Sequence, residues 1–165
     1  MPSHDFDLLW QFALDVYGVE GVAAECIDAQ NSHGVDVCVL LTAVYAAAQG
    51  FVPTQEALVS WDDAVKDWRQ TVVRQIRAVR NALKALDADS DVSVLRKAVL
   101  ATELQAERLE IQQLAAAYAT TALPKQSDLE PRDRVLQTLA QVAVLYECET
   151  LVMPRLAQAV TLFAR

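Results

Sequence analysis

In "NSHGVDVCVLL", Asn31 to Leu41, a histidine, an aspartate and a cysteine fall within six positions: His33, Asp36 and Cys38. With Cys26 close by, these are donor types that zinc accepts, and a thiol beside an imidazole is the pair from which cysteine nucleophiles are built. Zinc prefers four such ligands and a thiolate needs a base within hydrogen-bonding reach, whereas the chain has only His4 and His33. The same residues also make a corner. Gly34 stops one helix, Asp36 caps the next with its carboxylate, and Cys38 enters an apolar run. The corner is the preferred expectation, with no metal and no cofactor.

"DDAVKD", Asp62 to Asp67, contains the D-x-x-x-D pattern with which isoprenoid synthases hold diphosphate through magnesium. Those enzymes need a second acidic motif across a large helical cavity, and no second copy is evident. A solvated polar face between Trp61 and Trp68 is expected instead.

The charge distribution is more informative. Lys66 to Lys84 carries +5, from Lys66, Arg69, Arg74, Arg77, Arg80 and Lys84 against Asp67, in a chain of net charge −8. Folding the following helix back would set Glu103, Glu107 and Glu110, which share one helical face, opposite Arg77, Arg74 and Arg69. Such pairs set the register of an antiparallel hairpin, each contributing roughly 0–1 kcal/mol if exposed. Alternatively they bind an anion or acidic peptide, since the arginine fork grips carboxylate or phosphate at two points. In "YECET", Glu149 falls on the apolar arc expected for the last helix, where a buried carboxylate must be paired or protonated. The candidate binding residues are therefore Arg69, Arg74, Arg77, Arg80, Glu103, Glu107 and Glu149; no catalytic residue is assigned.

The elements that position these residues follow from periodicity. A first helix begins after Ser3 or Asp5 and ends at Gly18; a second runs near Glu20 to Ser32; a third, Asp36 to Gln49, is apolar nearly all round. Thr54 caps a fourth, whose seam Leu58, Trp61, Val65, Trp68, Val72, Ile76, Val79, Leu83 and Leu86 recurs in steps of three and four. "DADSD", Asp87 to Asp91, reads as an acidic turn before a fifth helix reaching about Thr121. A sixth starts at Pro131, carries Val135 through Phe163, and is kinked at Pro154.

Residues 1–165 are read as a single all-α domain: a helical bundle with three short N-terminal helices packed on three long antiparallel ones. Hydrophobic residues make up 53% of a chain with only four glycines, which argues against disorder and against a turn-rich β fold. Its acidity disfavours nucleic acid and anionic membrane surfaces as partners. The longest nearly apolar run, Val35 to Ala48, falls short of the ~20 residues of a membrane span. "MPSHDFDLLW" is acidic where a secretory signal would be basic, and three cysteines without a Cys-x-x-Cys pair suit a reduced, cytoplasmic protein.

"LWQFALDVYGVEGVAAECIDAQNSHGVDVCVLL", with "WRQTVVRQIRAVRNALK" and "ELQAERLEIQQL", resembles an uncharacterised bacterial family of short proteins known only as a domain of unknown function. The likeness lies in the LW-x-FAL start, the Q-x-x-x-G-x-DV turn, the arginine-rich helix and the E-x-x-AER stretch. It implies a bacterial cytosolic helical protein and carries over no activity. The expectation is a non-enzymatic interaction or adaptor protein with a protein partner, a homo-oligomer being left open. The alternative is a small metal-independent helical enzyme or ligand-binding protein using buried Glu/Arg pairs.

Overall fold

The computed structural model describes residues 4–86 and 90–164, and these form an all-α bundle. Ser3, one of the two caps considered for the first helix, and residues 87–89 of the acidic turn lie outside the described residues. The helices are α1 (His4–Tyr17), α2 (Val22–His33), α3 (Val37–Ala48), α4 (Gln55–Trp68), α5 (Arg74–Lys84), α6 (Ser90–Thr120), α7 (Pro131–Leu145) and α8 (Pro154–Leu162). Among the described residues β pairing is limited to an isolated bridge between Phe51 and Lys125. No helix there is long and apolar enough to cross a membrane.

The axis of the fold is α3. Its residues Cys38 to Ala48 are all buried, because α1, α2, α4, α6, α7 and α8 all contact it. Each large apolar side chain sealed in this way contributes roughly 1.5–3 kcal/mol. The expected corner is present: Gly34 adopts φ 67° and donates back to Ala29 and Gln30, a left-handed end that glycine adopts without steric penalty, and Asp36 accepts from the Val39 amide at 2.9 Å. At the other end of α3, Arg134 is buried and its Nε donates to the Ala47 carbonyl at 3.0 Å, placing a cation at the negative pole of the helix.

Thr54 caps α4 as expected, but the long seam beyond it is interrupted. Residues Arg69–Val73 form one π-helical turn between α4 and α5. The extra residue rotates everything after it relative to the α4 face. Val73, not Val72, is therefore the buried valine, while Val79 and Leu86 of the expected seam are 52% and 61% exposed. In exchange Arg77 and Arg80 turn toward α6.

The last long helix is divided. α7 ends at Leu145, where Glu147 adopts φ 54° and the Cys148 amide donates to the Ala143 carbonyl at 3.0 Å, a Schellman closure. Pro154 then opens α8 at its first turn instead of kinking a continuous helix. Glu25 of α2 caps α8 from outside, accepting from the amides of Arg155 and Leu156 at 2.9 Å each.

A further asymmetry bears on function. α5 has no buried residue and touches only α6 and the π turn, and no residue of α6 before Glu103 is buried. α5 and the N-terminal part of α6 therefore form a two-helix arm extending from the bundle.

Candidate functional site: a buried carboxylate and arginine network

The root of the arm holds an unusual concentration of buried charge. Its centre is Arg69, 7% exposed: its N–H still bonds to the Val65 carbonyl, so the ordinary α4 period, one turn past the buried Val65, sets it on the core face and not in the surface stripe expected of it. Nη1 donates to Asp62 Oδ1 at 2.7 Å and lies 3.2 Å from Asp36 Oδ2. The Tyr146 hydroxyl donates to the same Asp62 oxygen at 2.9 Å. Arg69 thus joins the corner before α3, the middle of α4 and the segment that follows α7. Burial opposes its charge, but the Asp62 hydrogen bond and the two carboxylate charges outweigh it and raise its pKa above the ordinary arginine value. Burial and the same carboxylates push the Tyr146 phenol up, keeping it a neutral donor.

Glu110 of α6 is 1% exposed and approaches Asp36 within hydrogen-bonding reach. Two carboxylates cannot bond to each other without a proton between them, and Glu110 Oε1 has no donor facing it. Burial, reinforced by the Asp36 charge, raises the Glu110 pKa to about 9. The raised pKa favours the protonated Glu110 carboxyl, the form that can donate to Asp36.

One turn toward the arm, a second group continues the network. Arg77 donates through Nε to Glu103 at 2.7 Å and through Nη2 to Glu107 at 2.8 Å, while Arg80 grips Glu103. Burial raises the Glu107 pKa against the opposing pull of Arg77. Cys38 connects the two groups, its thiol lying 4.0 Å from the Glu107 carbonyl, and burial holds that thiol protonated, its pKa well above the ordinary value.

The expected pairing is thus partly realised. Glu103 meets Arg77 as expected, with Arg80 added, and Glu107 shares that same Arg77. Arg74 does not meet Glu107: it is exposed and pairs with no carboxylate among the described residues, and Arg77 takes Glu107 instead. Arg69 takes Asp36 and Asp62 in place of Glu110. "DDAVKD" is not simply a solvated face, since Asp62 belongs to the network. The sequence does not reveal Asp62 and Tyr146 as members, and it offers Asp36 as a helix cap or a metal donor but not as an arginine partner.

Glu149 is the clear correction. Because α7 has already ended, Glu149 sits in a bend and is exposed, not on a buried arc. Glu149→Gln is therefore expected to change stability by less than about 0.5 kcal/mol in a urea titration; a larger loss would show that the carboxylate has a structural partner.

The corner donors do find a third across the fold: Asp36, Cys38 and Glu110 place ligand-type atoms within 4.8 Å of one another. Their setting suits a proton better than a cation. The Val39 amide and the Arg69 guanidinium already occupy the two Asp36 oxygens. His33 is exposed and lies apart, lining with Glu25, Asp28, Leu151 and Met153 a cavity of about 250 Å³ between α2 and the segment before α8.

Fold and site together define a class: a helical bundle whose α3 axis is bonded to a protruding helical pair through buried carboxylates, arginines and a tyrosine. Within that class, the chain belongs to the family described as protein of unknown function (DUF2390), whose model matches residues 8–114. That span contains Asp36, Asp62, Arg69, Arg77, Arg80, Glu103, Glu107 and Glu110; Tyr146 lies beyond it. Comparison with curated proteins and with solved structures gives no match.

Proposed function

We propose that the chain is a non-enzymatic, cytoplasmic helical interaction protein whose contact element is the α5–α6 arm. The observation that carries this reading is the arm's lack of a third layer. Val79, Leu86, Val94, Leu95, Leu100 and Leu104 are each at least half exposed there, where α5 touches only α6 and the π turn and α6 has no buried residue before Glu103. Exposed apolar side chains gathered on one element mark an interaction surface more often than chance. The network at the root supports the reading by fixing the arm's orientation, so a partner meets a preset surface and less ordering is lost on binding.

The test uses the full chain as bait at mild salt, beside a variant carrying Val79→Ser, Leu95→Ser and Leu104→Ser. One protein retained by the wild type and lost by the variant, with both melting at similar temperatures, is the expected result. Equal retention by the variant, or no retention at all, overturns the proposal.

A second reading, a ligand-binding protein, is favoured by two buried atoms without hydrogen-bond partners, Glu110 Oε1 and Arg69 Nε. A small polar molecule satisfying both would raise the melting temperature in a ligand screen. The cavity of about 250 Å³ lies at α2 and α8 instead of at these atoms, so the arm remains the better-supported site.

A further inference from the structure

We infer that the arm's partner presents an acidic amphipathic helix, seated on Leu100 and Leu104 between Lys84 and Lys97. This rests on the interaction reading above and specifies its chemistry.

Leu100, Leu104, Glu107 and Ile111 follow one another at steps of four, three and four, so they form one row along α6. The row changes environment along its length. Ile111 is 1% exposed in the core, Glu107 is held by Arg77, and Leu104 and Leu100 are 50% and 52% exposed. A surface that is covered at one end and bare at the other is an incomplete helix seat.

The covered part shows what fits. α1 lies along α6, and Arg108 of α6 stacks over the rings of Phe6 and Trp10. α1 is an amphipathic helix with Asp5, Asp7 and Asp15 and no lysine or arginine, and it ends at Tyr17. One of the helices the chain itself lays on α6 is therefore acidic, beside the basic α5 whose Arg77 holds Glu107.

The bare part carries the matching charge. Lys97 precedes Leu100 by three residues and Leu104 by seven, which places it on the same face. Arg77 pairs with Glu107 between antiparallel helices, so Lys84, two turns further along α5, stands level with Leu100, two turns back along α6. Both lysines are exposed and pair with no carboxylate among the described residues. Two lysines flanking a pair of leucines favour glutamate and aspartate on the incoming helix and repel a second copy of the same arm.

The probes are two labelled synthetic helical peptides with identical leucine spacing, one with glutamate and one with lysine at the polar positions, titrated against the full chain by fluorescence anisotropy. The glutamate peptide is expected to bind, roughly tenfold more weakly after Lys84→Glu with Lys97→Glu, and more weakly after Leu100→Ser with Leu104→Ser. The lysine peptide should gain affinity for the charge-reversed protein. All four positions are outside the core, so the variants should melt like the wild type. Equal binding of the two peptides, no binding of either, or binding that survives the reversal overturns the inference. If the bait experiment still retains a partner that Leu95→Ser releases, the arm remains the contact element while the acidic-helix inference falls.

Discussion

Arg69→Met should be the most damaging single substitution in the network, lowering stability by about 3–5 kcal/mol. The reason is what the change leaves behind. Asp36 and Asp62 would face each other across a buried space with the cation removed, and the Val39 amide on Asp36 and the Tyr146 hydroxyl on Asp62 would not replace its charge. Removing one member of a buried ion group costs more than the group ever contributed, because the surviving charges keep their desolvation penalty. In a chain of this length the melting temperature should fall on the order of 10 °C. Arg80→Met is the comparison: its side chain is 22% exposed, and Arg77 still holds Glu103 when it is gone, so the loss should be clearly smaller. The two should be compared by urea titration at pH 7. Asp62→Asn in the Arg69→Met background should recover part of the loss, since it removes one stranded charge. If Arg69→Met costs no more than Arg80→Met, then Asp36 and Asp62 are solvated and the network is not the clamp described above.

How much of this arrangement is legible in the sequence depends on whether its cause is local. The corner at Gly34 and Asp36 and the cap at Thr54 are, because each is a short-range contest between backbone groups and one side chain. The meeting of Glu103 with Arg77 is too, since helical spacing alone turns Glu103 toward α5, whereas Glu107, expected opposite Arg74, joins Arg77. The π turn at Arg69–Val73 leaves no such trace. "RQTVV" has no proline or glycine, yet one extra residue there exchanges Val72 for Val73 in the core and exposes Val79 and Leu86. π turns of this kind occur often at functional sites, which is consistent with its position at the root of the arm. The end of α7 is hidden for a related reason: Glu147 takes the left-handed conformation that would normally announce itself as glycine. Periodicity therefore sets Glu149 on an apolar arc that ends before it. The bond from Tyr146 to Asp62 spans 84 positions and depends on that same early stop, so no periodicity could reveal it.

Glu110→Gln should stabilise the protein at pH 8 and flatten its stability between pH 5 and pH 8. The folded-state pKa of Glu110, about 9, lies above the value of 4.5 for the free side chain, so the unfolded chain releases this proton first as pH rises. The stabilisation from the protonated form is therefore complete below about pH 4.5 and is lost progressively as pH rises toward 9. The loss runs at about 1.4 kcal/mol per pH unit within that window. In the wild type this loss is superimposed on whatever the other groups contribute. Glutamine keeps the shape, keeps an oxygen where Oε1 lies, and offers an N–H to Asp36 at every pH. It thereby fixes the bonding pattern of the protonated acid without its titration. Asp36 remains a carboxylate, free to cap α3 and face Arg69. The measurement is the urea midpoint of both proteins at several pH values, with their difference as the readout, since other titrating groups cancel in it. The difference should favour Glu110→Gln increasingly as pH rises from 5 to 8. A constant difference across that range would mean that Glu110 ionises in the folded protein as readily as in the unfolded chain, and that a donor other than its own proton separates it from Asp36.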